Sequence, residues 1–230
     1  MIRILLWDID GTLLDFKAAE RAAIKSLFDE FSLGTCSDDM VQRYSEINDG
    51  FWRRLERHEI TRQQVLIGRF EQFFGEIGVS PALAPEFNQK YQLRLGDTIV
   101  YRDDSLFIIK ALQGKVKQYA VSNGTVVAQN KKLRLSGLGA LMDGIFLSEK
   151  IGVEKPSPLF FDAVFEAIRP SELSEVMIVG DSLTSDMQGG VNAGILTCWY
   201  NPEHKSAPAG LRIDHTISNL HEILMLVEAE

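Results

Sequence analysis

Two aspartates stand one residue apart at the end of a short apolar run, ILLWDIDGTLLD, over residues 4–15. Asp8 and Asp10 repel each other, and packing alone gives a chain no reason to hold two like charges at a strand tip. A divalent cation or a phosphoryl group supplies that reason. Three later stretches carry matching chemistry. KQYAVSNGT (117–125) contributes Ser122, Asn123 and Gly124, GVEKPSP (152–158) contributes Lys155, and EVMIVGDSLTSD (175–186) contributes Asp181 and Asp186. A hydroxyl, a lysine and four acids are the ingredients of magnesium-assisted phosphoryl transfer. Charge suggests the division of labour. Asp8 attacks phosphorus and forms an aspartyl-phosphate. Asp10 protonates the leaving alkoxide and then takes a proton from the hydrolytic water. Mg2+ is expected on Asp8, Asp181 and a backbone carbonyl, with Asp10 and Asp186 completing the metal set and Asp186 orienting the metal's water ligands. Ser122 and nearby N–H groups hold phosphoryl oxygens, Lys155 adds fixed positive charge, and Thr12, Asn123 and Gly124 are further substrate-facing candidates.

These residues need elements that bring them to one edge. Ile2–Trp7 has no helical period and predicts a buried parallel strand. Residues 17–95 change texture: apolar positions recur at three-to-four spacing, Ser37 and Thr61 suit helix N-caps, and Gly34, Gly78 and Gly96 punctuate ends. That predicts four helices, at 18–31, 38–60, 61–79 and 85–96. Beyond residue 102 helices are expected at 103–114, 124–137, 158–168, 183–194 and 219–229. They alternate with strands at 117–122, 144–149, 175–181, 195–200 and 213–218, a pattern of βαβ units around a parallel sheet. The expected organisation is an α/β core with a Rossmann-like parallel sheet, residues 1–15 and 97–230, interrupted by an all-helical cap at 16–96. Ligands in such sheets bind at the carboxyl ends of strands, where Asp8, Ser122 and Asp181 all fall.

Bulk properties narrow the function classes. With 45% hydrophobic and 24% charged residues the composition is that of a soluble globular protein, and a formal charge of −8 disfavours a nucleic-acid polymer as partner. Cys36 and Cys198 form no ligand pattern and suit reduced thiols. MIRILLW is too short for a signal-peptide core, and no apolar run approaches membrane-spanning length. A cytoplasmic monomer or homodimer acting on a small phosphorylated substrate is expected, with no membrane partner.

The ordered elements DIDGT, VSN, EKPSP and GDSLTSD resemble the four motifs of haloacid dehalogenase-superfamily phosphatases, and the helical insertion after the first resembles that superfamily's C1-type cap. Within the superfamily, YSEINDGFWRRLERHEITRQQVLIGRFEQFF, IGVEKPSPLFF and GGVNAGILTCWYNP look similar to the YjjG-type pyrimidine 5′-nucleotidases. The resemblance implies hydrolysis of deoxyuridine, uridine and thymidine monophosphates and of non-standard pyrimidine nucleotides. That group's first motif also reads DxDET, where this chain has Gly11. Phe16, Asn48 and Trp52 are the candidates for contact with the nucleoside.

Blander roles exist for each residue. Asp-Gly is turn chemistry, Ser122 and Asn123 suit an N-cap, Asp186 suits a solvated helix face, and an aromatic such as Trp52 on an amphipathic helix is often core. Rival activities are a phosphatase for a small sugar phosphate or phosphoglycolate, a β-phosphoglucomutase-like mutase, and a non-catalytic phosphate-binding module. The mutase lacks its usual Thr-Asp-Thr stretch and cap histidine here, and Asp10 argues against a true dehalogenase.

Overall fold

The computed structural model describes residues 1–228. It divides into two compact units, Met1–Asp15 with Ile99 onward, and Phe16–Thr98.

The α/β unit starts with β1 (Ile4–Trp7). Its residues alternate between two cores, as the period of two in a strand requires. Leu5 and Trp7 join one cluster with Ile108, Ile109 and Ile223, and Ile4 and Leu6 join another with Phe160, Phe161 and Val164. A sheet covered on both faces therefore reads as an unbroken apolar run.

The inserted helical unit contains α1 (Phe16–Glu30), α2 (Asp38–Glu56), α3 (Arg62–Glu76) and α4 (Ala84–Arg94). Ser37 caps α2 by accepting from Met40 N–H, and Thr61 caps α3 in a reciprocal box with Gln64. Helix α2 stops at Glu56, before the expected residue 60, because His58 takes a left-handed φ of 59°. An aromatic core fills this unit. Tyr44 stacks on Phe70 with centroids 5.0 Å apart, and Phe87 meets Phe74 edge-on at 5.0 Å.

The chain then completes the sheet through α5 (Ser105–Ala111), β2 (Lys117–Ser122), α6 (Val126–Ser136), β3 (Gly144–Leu147), α7 (Ser148–Ile151), α8 (Pro158–Ile168), β4 (Val176–Gly180), α9 (Gln188–Ala193), β5 (Leu196–Tyr200), β6 (His215–Ile217) and α10 (Glu222–Glu228). All five pairings are parallel, in the order β3-β2-β1-β4-β5-β6. This is the doubly wound Rossmann order. Two expectations shift. Residues 148–149 start a single helical turn and do not extend β3, and the helix expected over 183–194 splits into a π-helical turn (Leu183–Met187) followed by α9. The last residue of the helix expected at 219–229 lies outside the described residues. Among the described residues no helix is long and apolar enough to cross a membrane, and Cys36 and Cys198 are free and buried.

Candidate active site

Strand order decides which residues meet. Trp7 pairs with Ala120 on one side and Val179 on the other, so the ends of β2, β1 and β4 lie side by side. Asp8 follows β1 directly and donates its N–H to Val179 O at 2.9 Å, which extends the sheet by one residue. The chain then reverses: Leu13 and Leu14 N–H both return to Ile9 O, and Gly11 N–H donates to Leu14 O at 2.8 Å. Gly11 turns this loop with φ of 99°, and a Cβ there would lie 2.5 Å from Asp181 Oδ2. Glycine takes this φ without strain, and a side chain here would have to displace the Asp181 carboxylate. Thr12, fully buried, lies within hydrogen-bond reach of Asp8 Oδ2 (3.2 Å) and Asp181 Oδ1 (3.4 Å), one hydroxyl proton between two acids.

Lys155 lies at the centre. Its ammonium donates to Asp8 Oδ1 at 2.9 Å, Asp186 Oδ1 at 2.6 Å and Val121 O at 3.1 Å, using its three protons. The loop that carries it is clamped by Asn123, whose amide donates to Lys155 O and accepts from Lys155 N, both at 2.9 Å. Asp186 arrives from the π-helical turn, where Met187 N–H reaches back five residues to Ser182 O at 3.0 Å. Its second oxygen accepts from Ser182 N–H at 3.1 Å, and only 1% of the residue is exposed. A π-turn at a chemically loaded position is a recurrent feature of functional sites.

Oxygens of Asp8, Asp181 and Asp186 all lie within 4.8 Å of one another. Burial, and then the neighbouring carboxylates Asp186 and Asp181, hold the Asp8 carboxyl well above its usual range against the pull of Lys155. Burial among the neighbouring groups and then the Asp186 charge push Asp181 up to about 7. Burial alone would lower the Lys155 ammonium, but Asp186 and Asp8 outweigh it and raise it. Three crowded acids against one ammonium, with hard oxygen donors only, form a donor set that fits a divalent cation of the magnesium or calcium type.

Asp10 departs from the expected metal set. Its carboxylate turns to α6, where Gln129 Nε2 donates to Oδ2 and Lys132 Nζ to Oδ1, each at 2.5 Å. Two residues of separation in an irregular loop do not put two side chains on one face, so Asp8 and Asp10 part company. Ser122 is buried at the end of β2, and its hydroxyl accepts from Gly124 N–H at 3.0 Å. Thr125 then caps α6.

In the helical unit Phe16 is the first residue of α1 and half-buried. Three of the four hydrogen-bonding positions of the Asn48 amide are used: Oδ1 accepts from Trp52 Nε1 at 3.1 Å and Arg69 Nη1 at 2.6 Å, and Nδ2 donates to Glu20 at 3.2 Å. Asn48 therefore orients the half-buried Trp52 indole. Ser45 also donates to Glu20, and Arg69 donates to Asn88 at 3.0 Å. This buried polar network, together with Gln129 and Lys132, was not foreseen from sequence. For the last two the spacing gives no signal, because α6 also carries Asn130, Lys131 and Arg134 and nothing in the sequence singles out which of its polar side chains turn inward.

A profile of the family described as "Hydrolase: haloacid dehalogenase-like hydrolase" matches residues 2–194. YfnB of Bacillus subtilis, which carries a HAD-hydrolase name, is 37% identical over 99% of this chain and 96% of its own length. A crystal structure of YfnB described as bound to magnesium superposes with a TM-score of 0.91 at 36% identity, covering 98% of each chain. Pyrimidine 5′-nucleotidase YjjG of Escherichia coli is 30% identical over 97% of this chain and 96% of its own. Pyrimidine 5′-nucleotidase PynA of Streptococcus pneumoniae is 33% identical over 88% and 85%. The sheet order, the carboxylate cluster at its switch point and the match across most of the sequence agree: this chain belongs to the haloacid dehalogenase-like hydrolases.

Proposed function

We propose that the protein is a magnesium-dependent phosphomonoesterase acting through an aspartyl-phosphate, with pyrimidine nucleoside 5′-monophosphates as substrates. The observation that carries the chemistry is the Lys155 ammonium bonded to Asp8 in a cluster of three carboxylates, with a separately held acid at Asp10. The names of two relatives at 30% and 33% identity support the substrate class.

Asp8 and Asp181, with Asp186 beside them, would hold the cation; the magnesium-bound form of the similar YfnB supports the choice of metal. When bound, the cation supplies positive charge against the meeting of an anionic nucleophile with an anionic ester. Lys155 and Thr12 fix the two oxygens of Asp8, so the carboxylate is aimed before substrate arrives. An Asp8 oxygen bonds to phosphorus as the ester P–O bond breaks, and the departing alkoxide takes its proton from Asp10. Asp10 then accepts a proton from water, the water oxygen bonds to phosphorus, and the Asp8–phosphorus bond breaks to release phosphate. Ser122 would receive a phosphoryl oxygen, and the start of α6 beside it would add its dipole.

The test is phosphate release with Mg2+ across dUMP, dTMP, UMP, AMP, GMP, a hexose 6-phosphate, phosphoglycolate and p-nitrophenyl phosphate, with EDTA controls and Asp8→Asn. The expected result is a higher kcat/KM for the pyrimidine monophosphates, abolished by EDTA or Asp8→Asn. A sugar phosphate or phosphoglycolate as the best substrate overturns the nucleotidase reading. Full activity in Asp8→Asn overturns the chemistry.

A further inference from the structure

We propose that Gln129 and Lys132 are positioning residues for Asp10: from one face of α6 they grip its two carboxylate oxygens and hold it in the orientation in which it exchanges protons with the substrate. The proposal rests on the phosphomonoesterase reading above. An aspartate on a loop samples several side-chain rotamers. Two donors on two different oxygens fix both the position and the plane of the carboxylate, so proton transfer needs no search. The donors are themselves immobile. Gln129 is fully buried and Lys132 is 2% exposed, whereas the Asp10 side chain keeps 21% of its surface open. Three positions apart on a helix, they project side by side.

Two further observations tie this grip to the site. A Cβ at Gly124 would collide with Gln129 Nε2, so the glycine beside Ser122 leaves the space through which Gln129 reaches Asp10. The other end of the same amide, Gln129 Oε1, is buried without a hydrogen-bond partner. An orphaned buried acceptor is unfavourable, and the side chain bears it while its donor stays on Asp10. Packing alone would be served better by an apolar residue. The hydroxyl of Ser122, the turn at Gly124, the cap at Thr125 and the grip on Asp10 therefore form one continuous stretch of chain, in which phosphate-facing groups and proton-transfer geometry are set together.

A positioning role and a merely structural one differ in what they do to substrates. Departure of a nucleoside alkoxide needs a proton, and departure of p-nitrophenolate does not. The ratio kcat/KM covers events up to leaving-group departure, so it reads the acid step without the later hydrolysis. Lys132→Met and Gln129→Met are each expected to lower kcat/KM for a nucleoside monophosphate by roughly tenfold or more, with p-nitrophenyl phosphate held within about threefold, in line with the size of general-acid contributions. In an Asp10→Asn background, Lys132→Met should cost less than about twofold more, because the group it serves is gone. Gln129→Met leaves the Asp10–Lys132 ion pair in place and covers the case in which Lys132→Met folds poorly. Equal losses on both substrates, or a full additional loss in the Asp10→Asn background, overturn the proposal while wild type stays active and Asp8→Asn inactive. Activity that survives Asp8→Asn overturns the underlying reading instead.

Discussion

Lys155 is the residue on which the electrostatics of the site turn. It is 1% exposed and shares its protons among Asp8, Asp186 and a carbonyl. Removing one partner of a buried ion pair is far costlier than the pair is worth, because the charge left behind has no water to return to. Lys155→Met should therefore lower the unfolding free energy by about 3–5 kcal/mol in urea titrations with EDTA present. Saturating Mg2+ should recover part of that loss, since the cation supplies charge to the same carboxylates; equal losses with and without Mg2+ would mean that the acids do not share a cation. At this scale the sequence was partly legible. The grouping of Asp8, Ser122 and Asp181 followed from strand ends, and that of Lys155 from the GVEKPSP stretch between them. The direction of the Asp10 side chain did not, because Gln129 and Lys132 set it from a helix more than a hundred residues further on.

Among the elements, the four inserted helices showed plainly in the three-to-four apolar spacing, and the caps at Ser37 and Thr61 marked where two of them start. The same spacing could not show that polar Glu20, Ser45, Asn48 and Arg69 face inward, since periodicity locates a buried face without saying which polar residues share it. Nor could it show the π-turn before α9, which depends on one extra residue between Ser182 and Met187. Glu20 gives the helical unit a pH signature. Burial raises its carboxyl above the ordinary 4.5, against the opposing effects of Lys17 and Ser45. The folded chain then binds this proton more tightly than the unfolded chain does. Its contribution to stability is full below about 4.5 and declines as pH rises through the elevated folded value. Glu20→Gln carries no such proton, so the stability of wild type relative to this variant should fall as pH rises above about 4.5 in thermal or urea unfolding. A difference that stays flat or grows in favour of wild type would show that Glu20 is ionised in the folded state at little cost.

For the molecule as a whole, the sheet order places β1 between β2 and β4, and the carboxylate cluster forms where the crossovers diverge to either side. A chain with net charge −8 then gathers three acids at one point. A ligand bound only by the folded state raises its stability by about 2.7 kcal/mol at a hundredfold excess over Kd. For a chain of this size that corresponds to roughly 5–10 °C in Tm. Mg2+ should produce a rise of this order in wild type and little in Asp8→Asn combined with Asp181→Asn, measured by calorimetry; equal rises in both would place the cation elsewhere.

The central position of β1 also matters during synthesis. The ribosome makes this apolar strand well before its sheet neighbours, which begin only at Lys117 and Val176. The helical unit, contiguous from Phe16 to Thr98, has all its packing partners available long before then. For much of its translation the nascent chain thus carries the complete helical unit together with an unpaired hydrophobic strand. Truncations ending between residues 98 and 117 should be bound by chaperones through the apolar strand Ile4–Trp7, and replacing its apolar residues with polar ones should release them.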